Sequence, residues 1–148
     1  MVRKIKFRAW VNNEMHYDWG IESGLGSALW LKMFGHITPE VAQSNGYSLP
    51  EKYDFYNNWE FMQYTGLKDS HGNEVYEGDI IEAVFELLDD ELKTVMDAGV
   101  VVFKDYGFQV QTFEDHYEPL HEWAQLSEEL KVIGNIYENP ELLPEVPQ

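Results

Sequence analysis

The fold of this chain is decided by the stretch that runs from Met62 to Ile81, MQYTGLKDSHGNEVYEGDII. Asp69-Ser70-His71-Gly72 has Asp at the first position of a four-residue turn and Gly at the last, as type I turns prefer. Glu77-Gly78-Asp79 supplies a second tight reversal a few residues later. Short apolar pieces of strand length, Val75-Tyr76 and Ile80-Ile81, stand between and after the turns. The stretch therefore predicts a compact β-ribbon.

The N-terminus predicts a second β-hairpin. Residues 3–10 alternate charged and apolar side chains, so that Ile5, Phe7 and Ala9 share one face of a half-buried strand. Asn12-Asn13 follows as a turn, and residues 15–17 return as the partner strand. We expect the basic residues of the first strand to lie on its solvated face.

The C-terminal half predicts several short strands. A strand is expected from residue 59 to 67, and another at 80–85. Residues 100–103 and 108–113 predict a hairpin in which Gly107 takes the position of positive φ. Ser127 is expected to cap a single helical turn, and a last strand to cover 131–137. Asn139-Pro140 then predicts a final one-turn helix.

This order of elements is typical of a mainly β protein and resembles a small SH3-like β-barrel in the C-terminal half. We expect a barrel subdomain at 62–148 and an N-terminal β-rich subdomain at 1–61 with a variable middle region. Residues 20–58 predict only short strands and loops. Residues 84–97 fit either a helical stripe or a hairpin whose tip is Asp89-Asp90-Glu91, and periodicity cannot decide between them.

Three separated blocks resemble the YopX family of bacteriophage and prophage proteins. They are Ile5–Trp10 (IKFRAW), the Met62–Ile81 stretch, and Val132–Leu143 (VIGNIYENPELL), and they occur in the family's order over nearly the whole chain. The resemblance implies a mainly β architecture and a phage or prophage origin. It brings no reaction, ligand or catalytic residue with it, and it is silent over the region from about Gly20 to Asn58.

Composition favours a folded cytoplasmic protein. The chain has 148 residues, 44% hydrophobic and 15% aromatic residues, and no cysteine, which excludes disulfides, thiolate metal sites and a Cys nucleophile. No apolar run approaches the roughly 20 residues that span a bilayer. No apolar segment that would suit a secretory signal follows the N-terminal charges. We therefore expect the bacterial cytoplasm and no membrane association.

Charge disfavours direct binding of nucleic acid. The net charge is −17. Four of the ten basic residues fall within the first eight positions, so the rest of the chain holds six basic residues and all 27 acids. A phosphate backbone needs clustered Lys and Arg, which this chain lacks outside its first strand. The simpler explanation of the negative charge is a surface that keeps the protein in solution. The alternative is an acidic decoy that mimics DNA charge and occupies a host DNA-binding enzyme.

Candidate catalytic groups are few. His116 and His121, with Glu114, Asp115 and Glu122, could ligate a metal, and a metal-dependent hydrolase is the second alternative. Their spacing of five and the intervening Pro119 do not align both imidazoles on one helix face, which favours a polar loop. Glu77 and Asp79 could pair as acid and base, but an Asp after a turn Gly more commonly accepts backbone N–H groups. We predict no enzyme, no cofactor and no metal.

Surface aromatics remain as the candidate functional groups. Trp and Tyr anchor protein interfaces, and five tryptophans are many for a core of this size. The sequence therefore predicts a non-catalytic module that binds a host or phage protein or self-associates into a homo-oligomer. Its candidate partner-binding residues are Trp10, Trp19, Trp30, Trp59 and Trp123.

Overall fold

The computed structural model describes residues 4–11, 13–20, 60–88, 91–112 and 116–143. In chain order the elements are β1 (Lys6–Val11), β2 (Glu14–Gly20), β3 (Glu60–Lys68), β4 (Glu74–Tyr76), β5 (Asp79–Leu88), β6 (Leu92–Lys104), β7 (Gly107–Gln111), β8 (Tyr117–Pro119), α1 (Leu120–Leu126), β9 (Glu129–Asn135) and a 3₁₀ helix (Pro140–Leu142). The predicted mainly β class is confirmed. No helix within these ranges is long and apolar enough to span a bilayer.

The chain divides into two compact units, Met1–Gln63 and Tyr64–Gln148. β3 crosses this boundary: its residues 60–63 pair with β1, and its later residues pair with β4. The sequence placed a boundary between residues 61 and 62, within the same strand. The SH3-like barrel proposed for the second unit stays a prediction.

The first unit contains the N-terminal hairpin that the sequence predicts. β1 and β2 pair antiparallel with Val11 opposite Glu14, and Asn13 occupies the turn with φ 62°. Asn accepts the left-handed region more readily than most residues do, which suits this tight connection. β1 lies between β2 and β3, so it is a central strand.

The prediction that the basic residues of β1 face solvent is wrong for Arg8. Arg8 is buried, next to the buried Ala9, and its guanidinium carbon lies 5.9 Å from the centre of the Tyr17 ring. Side chains of adjacent strand residues point to opposite faces, so the burial of both Arg8 and Ala9 shows that each face of β1 is covered at this point. The aromatic ring gives the buried cation an electrostatic partner.

The second unit is built on a five-stranded antiparallel sheet in the order β8-β7-β6-β5-β9. β5 and β6 pair without a bulge from Ile80 opposite Val100 to Leu88 opposite Leu92. β9 pairs with β5 only as far as Val84 opposite Glu129, and β7 pairs with β6 only from Val100 to Lys104. The central ribbon is therefore longer than the strands on either side of it.

The core of this unit lies on one face of the sheet, under the helix. α1 buries Leu120 and Trp123, which are three residues apart and so share one helix face. The buried cluster comprises Val75, Ile81, Ala83, Val101, Val110, Leu120, Trp123 and Leu130. Strands of the predicted stretch thus supply part of the core, as their apolar pieces indicate.

The turn chemistry of the predicted stretch is confirmed. Gly72 N–H donates to the Asp69 carbonyl at 3.1 Å, which closes the four-residue turn, and Gly72 has φ 85°. At the second reversal Tyr76 N–H donates to Asp79 Oδ2 at 2.8 Å. Asp79 therefore fixes the entry into β5, the structural role that its position after Gly78 indicates.

Two sequence predictions near the C-terminus are wrong in detail. In the β6–β7 hairpin the positive φ angles belong to Asp105 and Tyr106, at 52° and 68°, not to Gly107. A two-residue turn closed by Lys104 and Gly107 is of type I′, which needs positive φ at both central positions. Ser127 does not begin a helical turn; it ends α1, and its N–H donates to the Trp123 carbonyl.

The closing segment forms as predicted, with one difference. Asn139 and Pro140 start the 3₁₀ helix, but Asn139 Oδ1 accepts from Asn135 N–H at 3.2 Å and does not cap that helix. Asn135 Oδ1 in turn accepts from the N–H groups of Tyr137 and Glu138. A Cβ at Gly134 would lie 2.5 Å from Asn139 Oδ1, so this glycine is required by close approach.

Candidate functional site

The strands β5 and β6 extend beyond the rest of their sheet as a two-stranded ribbon. We call residues 85–97 the β5–β6 arm; residues 89–90 at its tip lie outside the described residues. This hairpin resolves the ambiguity that the sequence leaves at 84–97, in favour of strands. Just before the arm begins, Glu128 N–H, next to the start of β9, donates a hydrogen bond to the Val84 carbonyl at 2.7 Å.

That hydrogen bond fixes which way the backbone groups of the arm point. The Val84 carbonyl points towards β9, so the backbone of its partner Met96 points away from β5. Backbone polar groups alternate along a strand, which places the N–H and C=O groups of Leu92, Thr94, Met96 and Ala98 on the outer edge of β6. Within the described residues, the Ala98 N–H alone of these has a partner, its neighbour Asp97 Oδ1 at 2.9 Å.

Apolar side chains lie on both faces of the arm. One face carries Leu88, Leu92 and Met96, which are exposed by 82%, 63% and 64%. The opposite face carries Leu87 and Val95, which are also exposed. Contiguous exposed apolar side chains on a soluble protein mark interaction sites, whereas single ones need no explanation. The arm is therefore the strongest candidate for a functional surface in the described residues.

The base of the arm is held by the core. The Phe85 ring meets the buried Trp123 ring edge-on, with 5.4 Å between the ring centres. Trp123 Nε1–H also donates to Glu118 Oε2 in β8, which fixes the indole from its polar end. The base of the arm is thus packed against the core of the second unit.

A second exposed feature is the tip of the β6–β7 hairpin. Tyr106 is fully exposed, and it adopts a positive φ that aromatic residues rarely take. Beside it the Phe103 and Phe108 rings stack edge-to-face at 5.3 Å, and Lys104 Nζ lies 3.6 Å from the Tyr117 ring centre. Because these aromatic side chains contact one another, the tip forms a smaller free apolar surface than the arm does.

The structure places the predicted tryptophans in different surroundings. Trp123 is 2% exposed in the core, where a partner cannot reach it without opening α1. Trp10 is half-buried in β1. Trp19 lies in β2, but its side chain is outside the description, and Trp30 and Trp59 lie outside the described residues. The two described tryptophan side chains thus belong to different units, and that of Trp123 is buried in the core of its own.

Of the predicted metal ligands, His116, His121 and Glu122 are described, and all three side chains are exposed. His116 precedes β8 and its Nε2 lies 3.5 Å from Glu118 Oε1, while His121 and Glu122 are in the first turn of α1. Glu114 and Asp115 lie outside the described residues. The predicted polar loop is thus wrong from residue 117 onward, where β8 and α1 stand. Among the residues described, no three His, Cys, Asp or Glu side chains form a group that could hold a metal ion.

Exposed acids of the described residues are distributed over many elements. They include Glu60 in β3, Glu86 in β5, Glu122 in α1 and Glu129 in β9. No single strand or helix presents a row of them, which a mimic of regularly spaced phosphates along one element would need. The decoy stays a prediction.

Sequence reasoning missed the arm as a functional surface because its apolar residues fit a helical stripe. The signal that identifies it is the acidic tip at 89–91, which suits a hairpin end and not a buried helix. Once that hairpin is assumed, Leu88 and Leu92 become direct cross-strand neighbours.

Comparison with known proteins agrees with this architecture. One similar solved structure is the crystal structure of protein EF1440 from Enterococcus faecalis, at 25% sequence identity and a TM-score of 0.51. The match covers 95% of this chain and 98% of that chain. No curated protein matches the chain. The sequence model of the YopX protein family matches residues 6–144, which contain all three resembling blocks except Ile5, and the chain therefore belongs to the YopX family.

Proposed function

We propose that this protein is a non-catalytic binding module that engages another protein through the β5–β6 arm. The observation that carries the proposal is the set of exposed apolar side chains on a ribbon with an open backbone edge. An extended edge of this kind binds a further strand through main-chain hydrogen bonds, while the alternating side chains supply selectivity.

The size and attachment of the arm suit a binding role. An isolated two-stranded ribbon is marginally stable in water, so a ribbon that projects needs support at its base. The Phe85–Trp123 contact and the sheet beneath supply that support. The exposed Leu and Met side chains contribute little to the folding free energy of the chain alone. Burial against a partner is the way in which they can contribute free energy.

The candidate catalytic groups support a non-catalytic role because the structure uses one of them elsewhere. Asp79 is 1% exposed and accepts the Tyr76 N–H, so its carboxylate serves a turn.

Site-specific photo-cross-linking in cells that express the protein tests the proposal. A benzophenone amino acid is placed at Leu88 on the arm, and a matched variant carries it at Leu126. Leu126 is exposed by 67% but belongs to the end of α1 and not to the strands of the arm. The proposal predicts a discrete protein adduct from the Leu88 position and no such adduct from the Leu126 position.

Adducts that are absent from Leu88, or identical at both positions, would contradict the proposal. A thermal melt of each purified variant establishes that the substitution has left the fold intact. Because both sites are exposed Leu residues, the two variants differ in location and not in chemistry.

A further inference from the structure

We infer that the partner of the β5–β6 arm is a second copy of this chain, which pairs antiparallel with the outer edge of β6 across a two-fold axis at Val95. This inference rests on the proposed function and names its partner. Within the part of the chain that the structure describes, the outward main-chain N–H and C=O groups of Thr94 and Met96 have no partner, and these are the groups that a second strand needs.

Only every second residue of β6 points its backbone N–H and C=O groups outward, and this restricts the registers in which two copies can pair. Antiparallel strands exchange hydrogen bonds between residues whose backbones point at each other. With the axis at Val95, Thr94 faces Met96 of the second copy, and both have outward backbones. Leu92 faces Ala98 of the second copy, whose carbonyl points outward and whose N–H already donates to Asp97 Oδ1. The register therefore satisfies the open edge in both copies.

Charge selects this register over its neighbours. With the axis at Val95, Lys93 lies directly opposite Asp97 of the second copy, and the symmetric pair repeats on the other side. A shift of the axis to Thr94 or to Met96 places Lys93 opposite Val95 or Gly99, with no charge pair. Opposite charges directly across a strand pair are favourable, whereas like charges there are not. Lys93 is the single basic residue of the arm.

The side chains also match across the axis. Lys93, Val95 and Asp97 share one face of β6, so the two Val95 side chains meet between the charge pairs. On the opposite face, Met96 of one copy lies beside Thr94 of the other, and Leu92 beside Ala98. An isologous contact of this kind closes on itself as a dimer and does not propagate.

The structure also explains why this edge pairs and the opposite edge of the sheet does not. At β9 the Val132 N–H donates to Asp69 Oδ2, and the Leu130 N–H donates to Ser70 Oγ. The Leu130 carbonyl accepts from Ser70 N–H. The turn at residues 69–73 thus occupies that edge, and β6 from Leu92 to Ala98 offers the open one.

Sedimentation velocity over a range of concentrations tests the pairing with a charge-swap series on the full chain. Lys93→Asp places two acids opposite each other, and we expect it to weaken self-association by about tenfold. Asp97→Lys is expected to have a similar effect through facing lysines. The double variant Lys93→Asp with Asp97→Lys restores the opposite pair and should return the association constant to within about threefold of the wild type.

Lys131→Asp is the matched control, because it makes the same charge change on β9 and should leave self-association unchanged. A wild-type chain that stays monomeric throughout, or a Lys93→Asp variant that associates as well as the wild type, would overturn the inference. If the chain is monomeric but Leu88 still captures a different protein in cells, the second copy is excluded as the partner and the binding function stands. If no adduct forms at Leu88 either, both proposals fail.

Discussion

The two long edges of the β5–β6 ribbon differ in how far other described parts of the chain cover them. On the β5 side, β9 covers the ribbon as far as Val84, and the turn at residues 69–73 then closes the outer edge of β9 itself. On the β6 side, β7 covers only residues 100–104, and the outward backbone groups of Leu92, Thr94 and Met96 have no partner within the described residues. The closed edge uses two side chains, Asp69 and Ser70, to satisfy backbone groups.

This difference shows that the open edge is not simply the consequence of where a sheet ends. An exposed edge is a liability that proteins usually block with charge, proline or a covering loop. The chain provides such a cover at β9, yet along β6 it places Leu92, Val95 and Met96 with one Lys and one Asp. Under the proposed function, closure marks the structural side of the sheet and openness the binding side.

The largest expected effect comes from the core that supports both edges. Trp123→Ala removes the ring that contacts Phe85 and leaves a large cavity, so we expect a loss of about 4 kcal/mol in the free energy of unfolding. Denaturant titration followed by circular dichroism measures it. Trp123→Phe keeps an aromatic ring and should lose clearly less. A loss below about 1 kcal/mol for the Ala variant would contradict the placement of Trp123.

Asp69 and Asp97 permit a direct comparison of the two edges. Asp69→Ala leaves the N–H groups of His71, Asn73 and Val132 without their acceptor, and we expect a loss of about 3 kcal/mol in the free energy of unfolding. Asp97→Ala removes one acceptor, from Ala98 N–H at an edge that water reaches, and should cost about 0.5 kcal/mol. Equal losses in the two denaturation curves would remove the distinction between the edges.

The closed edge should also depend on pH. Burial raises the pKa of the Asp69 carboxyl, but hydrogen bonds from Val132, Asn73 and His71 outweigh it and hold the pKa below its ordinary value of 3.8. The carboxylate therefore stabilises the fold fully above about pH 4, and this contribution is lost as the pH falls through the lower folded-state pKa.

Denaturation of the wild type and of Asp69→Asn as a function of pH measures this contribution. The difference in unfolding free energy between them should be constant from about pH 5 to pH 7 and should shrink below about pH 4. A difference that stays unchanged down to about pH 2 would show that the charge of Asp69 does not contribute.

Glycine substitutions sharpen the comparison within the strands. Gly134→Ala on β9 forces Asn139 Oδ1 away and so disturbs its bond with Asn135 N–H, for an expected loss of about 2 kcal/mol. Gly107→Ala meets nothing within 4 Å and has no positive φ, so its unfolding free energy should match the wild type within about 0.5 kcal/mol. A thermal melt that ranks the two variants in reverse would contradict the packing at β9.

The smallest effect on stability is expected on the arm. Leu88→Ser together with Leu92→Ser replaces side chains that the monomer leaves in water, so the free energy of unfolding should change by less than about 0.5 kcal/mol. Self-association should nevertheless fall, because the same side chains flank the proposed contact. Denaturation at a concentration where the wild type is monomeric separates these effects. A large loss of stability there would mean that the monomer itself packs the arm.

The sequence predicts the turns well, including the turn that closes the β9 edge of the sheet. Turn chemistry is local, so Asp69 to Gly72, Gly78-Asp79 and Asn139-Pro140 indicate their backbone geometry without knowledge of the rest of the chain. The N-terminal hairpin follows from Asn12-Asn13 for the same reason. The bond from Asp69 to Val132 spans 63 residues and could not be predicted, since no local pattern specifies which strand a turn will cover.

The open side is where sequence reasoning fails, again for a physical reason. Leu87, Leu88, Leu92 and Met96 match the helical period, and an apolar residue that is kept exposed for a partner has the same pattern as one that is buried. Arg8 and Trp123 fail in the other direction, because no local pattern shows which charged or amphipathic side chains the folded chain will bury.

The most direct test of the account is residue-resolved amide hydrogen exchange, measured by NMR at a low and at a high protein concentration. At low concentration the N–H groups of Leu130 and Val132 should be protected, as should the inward Val95, while those of Thr94 and Met96 exchange fast. At high concentration the Thr94 and Met96 amides should become protected as the second copy covers them. Thr94 and Met96 amides that are protected at the lowest concentration, or that stay fast at the highest, would contradict the account.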